Sequence, residues 1–222
     1  MEYNKTNPEL RLAARNQLKG SWLLPILVCA IYALISTVLN DDYNWFGIAS
    51  TNFGAGMFHW VGAYHIKLGW FITMLISGPF MLGLANYFLK FLRNNSPQVE
   101  TLFSGFNNFT PSLVLYLLIS IYTFLWTLLL IIPGIIAALR YSQAFYILSD
   151  NPNMSAIDAL ETSKRMMAGH EGRLFLLCLS FIGWLIVSCL TFGIGFIWLN
   201  PYYNLTMANF YEDLKLSGSY SR

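Results

Sequence analysis

Between Leu113 and Leu148 the chain runs for about 36 residues with one charged side chain, Arg140. As a single helix this block would measure roughly 54 Å at 1.5 Å per residue, against a hydrocarbon core of about 30 Å. It is too apolar to be a water-facing segment and too long to be one crossing, so it must turn. Pro133-Gly134 offers the turn, giving one span of about 21 residues and a return of about 15. The return is short for a crossing, so residues 135–149 either span at a tilt or re-enter.

The rest of the chain agrees with a lipid-embedded protein. Of its 222 residues 56% are hydrophobic and 11% are charged, where a soluble domain carries about 25% charged residues. Other apolar stretches predict helices at about 21–39, at 69–92 with an interruption at Gly78-Pro79, at 173–190 and at 194–210. Residues 93–112 read as a polar link. The fold class expected is all-α: a single integral membrane domain over 1–222, with about six transmembrane segments in hairpin-like pairs plus amphipathic surface helices. The first surface helix, 7–19, has Asn7 as its cap, Pro8 in its first turn, and Leu10, Ala14 and Leu18 on one face. The first apolar run, Trp22 to Leu39, has no small-x-small cleavage site after it and reads as a retained helix.

The placement of lysine and arginine tests the turn, because cytoplasmic loops carry the excess of both. With a hairpin at Pro133-Gly134, 11 of the 13 basic residues fall inside: Lys5, Arg11, Arg15, Lys19, Lys90, Arg93, Lys164, Arg165, Arg173, Lys215 and Arg222. Lys67 is outside and Arg140 lies within a span. Without the hairpin the bias becomes six inside against seven outside. The hairpin topology is therefore expected, with N- and C-termini both cytoplasmic.

That assignment makes 149–175 a cytoplasmic elbow built from Asp150, Asn151, Pro152, Ser163, Lys164 and Arg165. Asn151-Pro152 reads as a turn, and Ser155 with Asp158 as a capping pair for a helix over 153–169. Ile157, Leu160, Lys164 and Met167 share a predicted face, Glu161 and Arg165 form an i,i+4 pair, and Gly169 and Gly172 end the helix.

Candidate chemistry is sparse. Arg140 costs at least about 2.5 kcal/mol near the centre of a span, so it should face the bundle or a polar cavity. It serves as an anion or lipid-headgroup site, as an interhelical clamp, or as a snorkelling arginine if the segment re-enters. Gln143, Asn86 and Asn209 are the other candidate intramembrane polar residues. Asn86, Arg140 and Asn209 follow Pro79, Pro133 and Pro201 by seven or eight positions, which reads either as three related hairpins or as the ordinary frequency of proline in membrane helices. No predicted span contains Asp or Glu, which argues against an intramembrane hydrolase and weakens a proton-coupled carrier. "TFGIG" at 191–195 resembles a potassium-filter loop but reads better as a tight turn. His59, His65, Asp41 and Asp42 in the external loop, 40–68, match no metal spacing, and that loop reads as an aromatic interfacial belt or a lid. Cys29, Cys178 and Cys189 lie in apolar segments and form no C-x-x-C pair, so no disulfide framework or metal site is expected. No cofactor motif is present, and the net charge of +2 with no basic-aromatic patch excludes nucleic acid as a partner. Membrane lipids, a membrane-protein partner or a second copy of the chain remain as expected partners.

"AARNQLKGSW" near the start, "AFYILSDNPNMSAIDALETSKRMMAGHEGRLFLLCLSFIGW", "LTFGIGFIWLNPY" and "FYEDL" together resemble the DUF975 family of uncharacterised integral membrane proteins from Gram-positive bacteria. Pro133, Gly134, Arg140, Asp150, Asn151, Pro152, Ala159 and Ser163 also look distantly like the membrane segment attached to some glycerophosphodiester phosphodiesterases. The resemblance implies a bacterial plasma-membrane location and supplies no reaction. The functional expectation is a non-enzymatic accessory, regulatory or immunity-type envelope protein. The alternative is a small transporter or a bundle that binds lipid or an anionic solute through Arg140.

Overall fold

A computed structural model of the chain describes residues 5–39, 68–93, 97–191 and 193–217. Every regular element among these residues is helical. In chain order they are α1 (Asn7–Leu18), α2 (Leu23–Leu39), α3 (Leu68–Leu92), a 3-10 helix (Val99–Asn108), α4 (Phe109–Leu129) and α5 (Ile131–Tyr141). There follow α6 (Ala144–Asp150), α7 (Ala156–Met167), α8 (Glu171–Leu179), α9 (Ile182–Leu190) and α10 (Phe196–Leu216). Residues 40–67 of the expected outer loop, with Asp41, Asp42, His59 and His65, lie outside the described residues.

Helix α1 starts one residue earlier than expected. Thr6, not Asn7, is the cap, and the Glu9 carboxylate accepts from the Thr6 amide at 2.7 Å, closing a capping box. The Leu10, Ala14 and Leu18 stripe is fully buried, and it is buried against protein: α1 lies on α10, with Asn209 Nδ2 donating to Gln17 Oε1 at 2.9 Å. The chain then bends by 102° into α2.

Helix α3 is not interrupted at Gly78-Pro79; it passes through Pro79 as one element. Membrane helices tolerate proline because neighbouring groups make up for the lost backbone bond. Within the expected polar link at 93–112, Val99–Asn108 is a ten-residue 3-10 helix packed along α3, and Phe109 already begins α4. Glycines on both partners explain the docking. A methyl group added at Gly83 would overlap the Leu102 carbonyl, and one at Gly105 would overlap the Pro79 carbonyl. Small residues allow backbones this close to meet and gain dispersion contact that larger side chains would block.

The turn in the long apolar block exists, three residues before Pro133. Leu130 takes extended backbone (φ −159°, ψ 143°), and α4 and α5 pack as a hairpin on either side of it. Gly134 N donates to Leu130 O at 3.2 Å, the first i→i−4 bond of α5. Pro133 therefore occupies the first turn, where a missing N–H removes nothing. Gly134 serves as a contact point: a side chain there would collide with Thr127 of α4.

Beyond the hairpin, α5 and α6 are offset at Ser142-Gln143, and the single helix expected at 173–190 is two helices joined at Ser180-Phe181. Ser155 caps α7 as expected, accepting from Asp158 N at 3.1 Å. The buried face of α7 is rotated from the expected one. Ala156, Ala159, Leu160, Ser163, Met166 and Met167 are inside, while Ile157 and Lys164 are exposed. Arg165 donates to Thr162 Oγ1 at 3.3 Å rather than pairing with Glu161. Gly169 ends the helix in left-handed backbone (φ 83°), but Gly172 sits inside α8.

The centre of the bundle is α10, packed by α1, α2, α3 and α9. Leu205, Phe210 and Leu214 are fully buried, and so is Thr206. The outer surfaces are apolar: Phe124, Leu128, Ile131 and Ile132 on the α4–α5 hairpin, and Leu176, Trp184, Ile186 and Leu190 on α8–α9, are all more than half exposed or nearly so. Exposed apolar faces of this extent match a hydrocarbon solvent. Four helical stretches are long and apolar enough to cross a membrane: Met74–Leu92, Val99–Leu129, Ile131–Asp150 and Glu171–Leu190; the bent α1–α2 pair makes up to five. The sixth expected crossing, α10, is not among them. It carries Asn200, Asn204, Asn209, Glu212 and Asp213; from Leu205 to Leu214 it is mostly buried against protein, where Asn209 and Asp213 are tolerated, while Ile197, Trp198 and Asn200 near its start are exposed.

Candidate functional site

The polar side chains concentrate where α3, α6 and α7 end, α1 and α8 begin, and α10 ends. Asp150 is the first hub. Arg93 grips it with both terminal nitrogens, at 2.8 and 2.9 Å, Lys215 Nζ donates at 2.7 Å, and Tyr211 OH donates at 3.0 Å. Arg93 Nε also donates to Glu212 at 2.7 Å. Planar two-pronged pairing of this kind is the strongest geometry a guanidinium offers a carboxylate, and the Asp150 bond raises the Arg93 guanidinium above its ordinary pKa. One carboxylate thus ties the ends of α3, α6 and α10 together.

Asp213 is the second hub and is more deeply placed, its side chain 1% exposed. It accepts from Arg173 at 2.6 Å and from the Lys5 amide at 3.1 Å. Arg173 also donates to the Lys5 carbonyl, stacks over Phe210 at 5.1 Å, and gives its own carbonyl to Asn7 Nδ2 at 3.0 Å. The start of α1, the start of α8 and the end of α10 therefore meet at one carboxylate.

The third contact involves Arg140. Its Nε donates to Glu171 Oε1 at 2.8 Å, its carbonyl accepts from Ser163 Oγ at 2.7 Å, and Glu171 also accepts from Gly169 N at 2.8 Å. Arg140 is half exposed, and it joins α5 to α7 and α8 as a clamp. It also lines two adjoining cavities. One, about 390 Å³, is shared with Glu161, Lys164, Arg165 and Ala168. The other, about 510 Å³, is walled by Ile132, Ile135, Ile136, Leu139, Glu171, Gly172 and Phe175.

The other expected intramembrane polar residues do not gather around Arg140. Asn86 donates to Ser104 at 2.7 Å, fastening the 3-10 helix to α3, and Asn209 fastens α10 to α1. Gln143 is fully buried and donates to Ser142 Oγ at 3.0 Å, with its Oε1 unpartnered. Pro79 and Pro201 lie inside continuous helices and Pro133 in a first turn. Asn151 closes α6, its amide and its side chain both donating to Ile147 O, at 3.0 and 3.1 Å, with Pro152 beginning the turn into α7.

The glycine turn at 191–195 closes α9 onto α10. Gly193 has φ 88°, and Thr191 Oγ1 accepts from Gly195 N at 3.2 Å. Cys29, Cys178 and Cys189 are unpaired thiols. A separate cavity of about 480 Å³ lies between Trp22 and the α9–α10 turn, walled by Trp184, Trp198 and Tyr202 with Arg15 at its edge.

Sequence reasoning missed the acidic half of this arrangement. Glu171, Glu212 and Asp213 lie outside the predicted spans, in stretches whose composition is that of solvated helix ends. No local pattern marks them, because each meets its cation across the fold, 31 residues away for Glu171, 40 for Asp213 and 119 for Glu212.

A family model described as "Protein of unknown function (DUF975)" matches residues 1–133 and 127–217. The chain belongs to the DUF975 family. The two matched stretches of this DUF975 chain overlap across the α4–α5 turn. No curated protein and no solved structure matches it. Among its described residues no group of three or more His, Cys, Asp or Glu is placed to hold a metal ion.

Proposed function

We propose that this DUF975 chain is a multi-pass protein of the bacterial plasma membrane, with both described ends on the cytoplasmic side, acting without catalysis as an accessory, regulatory or immunity-type envelope protein. The observation that carries the reading is the carboxylate latch: Asp150 and Asp213 hold Arg93, Lys215, Arg173 and the Lys5 backbone at one end of the bundle. It supports the topology because it brings the start of α1 and the end of α10 to the same side, together with the basic residues that favour the cytoplasm. It supports a non-catalytic role because these charges pair with one another rather than converge on an open cleft, so they act in holding helices together.

A reporter fused at Arg222 reads cytoplasmic; an external signal sinks the topology. For the role, gentle native extraction followed by mass spectrometry recovers a stoichiometric protein partner or a second copy of the chain. A bundle recovered alone that moves an anionic solute across liposomes, and stops doing so with Arg140→Leu, replaces this reading with the transporter. That second reading is favoured by one observation, the cavity that Arg140 shares with Lys164 and Arg165.

A further inference from the structure

We propose that the corner formed by α5, α7 and α8 is a binding site for one anionic phospholipid, its phosphate held by Arg140, Lys164 and Arg165 and one acyl chain lying in the groove between α5 and α8. The proposal concerns what occupies this corner and holds whether the chain serves as an accessory protein or a carrier.

The two cavities at Arg140 differ in chemistry and share that residue. The polar one sets Arg140, Lys164 and Arg165 against a single carboxylate, Glu161. With Glu171 also counted, because it pairs with Arg140, three cations against two carboxylates leave a charge of +1 at the corner. Arg140 spends Nε on Glu171, which aims the guanidinium and leaves its two terminal nitrogens unused among the described residues. Lys164 makes no ion pair among those residues, and Arg165 meets only the neutral Thr162 hydroxyl. An unneutralised pair of cations beside a half-used guanidinium is suited to a phosphate diester, whose oxygens accept from several donors at once.

The second cavity tells a lipid from a soluble anion. Its walls are Ile132, Ile135, Ile136, Leu139 and Phe175, and Ile132, Ile135, Ile136 and Phe175 are also exposed on the outside of the bundle. A free phosphate gains nothing from an apolar slot, whereas an acyl chain gains about 0.8 kcal/mol for each methylene it buries. The slot begins at the guanidinium and runs up α5 toward Ile132, two turns away, as a chain hanging from a glycerol phosphate would. Basic pockets between helix ends on the cytoplasmic side are where anionic headgroups are drawn by the negative surface potential of that leaflet.

The test uses the full chain in detergent, titrated with short-chain phosphatidylglycerol, with phosphatidylcholine of the same chains, and with glycerol phosphate, followed by native mass spectrometry and thermal unfolding. Retention and stabilisation by phosphatidylglycerol, much weaker effects from phosphatidylcholine, and none from glycerol phosphate are the expected pattern. The double variant Lys164→Gln/Arg165→Gln lowers phosphatidylglycerol affinity on the order of 25-fold, at about fivefold per cation. Both side chains are exposed, so its melting temperature without lipid stays at the wild-type value and the loss is not a loss of fold. Ile136→Ser weakens the lipid without restoring any response to glycerol phosphate. Equal retention of phosphatidylcholine, or an unchanged affinity in the double variant, overturns the site. Equal stabilisation by glycerol phosphate overturns the lipid in favour of a soluble anion.

Discussion

At Asp213 a carboxylate sits 1% exposed beside a guanidinium that is 19% exposed, while Arg140 and Glu171 make the same kind of bond at 41% and 18%. Burial sets the difference in their worth. Removing one partner of a buried pair leaves a charge that water cannot reach, whereas exposed pairs are screened and nearly interchangeable with solvent. Asp213→Asn is expected to cost about 3–5 kcal/mol, and Glu171→Gln about 0–1 kcal/mol, both read from thermal unfolding of the purified chain. Equal losses would mean that the two pairs see the same environment. This contrast was only half legible in the sequence. Arg140 stands out in an apolar block because a lone charge there is costly. Asp213 sits in "FYEDLK", which looks like any solvated helix end until α1 and α8 are folded over it.

Among the elements, the α3 contact with the 3-10 helix depends on backbone proximity. Gly83→Leu forces carbon into the Leu102 carbonyl, so a loss larger than the usual 1–3 kcal/mol of overpacking is expected, because backbone cannot turn aside as a side chain does. Gly172→Ala, inside α8 with open space around it, is expected to gain about 0.5–1 kcal/mol from helix propensity. Measuring both melting temperatures checks the pair, and a tolerated Gly83→Leu would refute close docking. The break in the long apolar block followed from length alone. Its position did not, because proline marks both turns and first turns, and only the extended Leu130 decides between them. The 3-10 helix was hidden for a related reason: "SPQVETLFSGFNNFTPS" has the composition of a loop, and its order comes from α3, a partner no local pattern announces.

The whole molecule places its least apolar long helix in the middle. Composition predicts a membrane bundle and charge bias predicts an orientation for it, but six equivalent crossings did not follow, since hydropathy measures compatibility with lipid and most of α10 packs on protein. Tested alone as a guest segment in a membrane-insertion reporter, Glu171–Leu190 is expected to insert and Phe196–Leu216 is not. Autonomous insertion of α10 would place it at the bundle's lipid boundary.

That arrangement imposes a schedule on biosynthesis. The apolar stripe of α1 leaves the ribosome first, and α10, which covers it, follows roughly 200 residues later, about 10–40 s at ordinary rates of elongation. During that interval Leu10, Ala14 and Leu18 are an apolar stripe without the helix that covers it in the folded bundle. On composition α10 is not expected to enter lipid by its own partitioning. Its contacts are with α1, α2, α3 and α9, so those helices are what would receive it, and the Asp213 bonds to Arg173 and Lys5 join its end to the starts of α8 and α1.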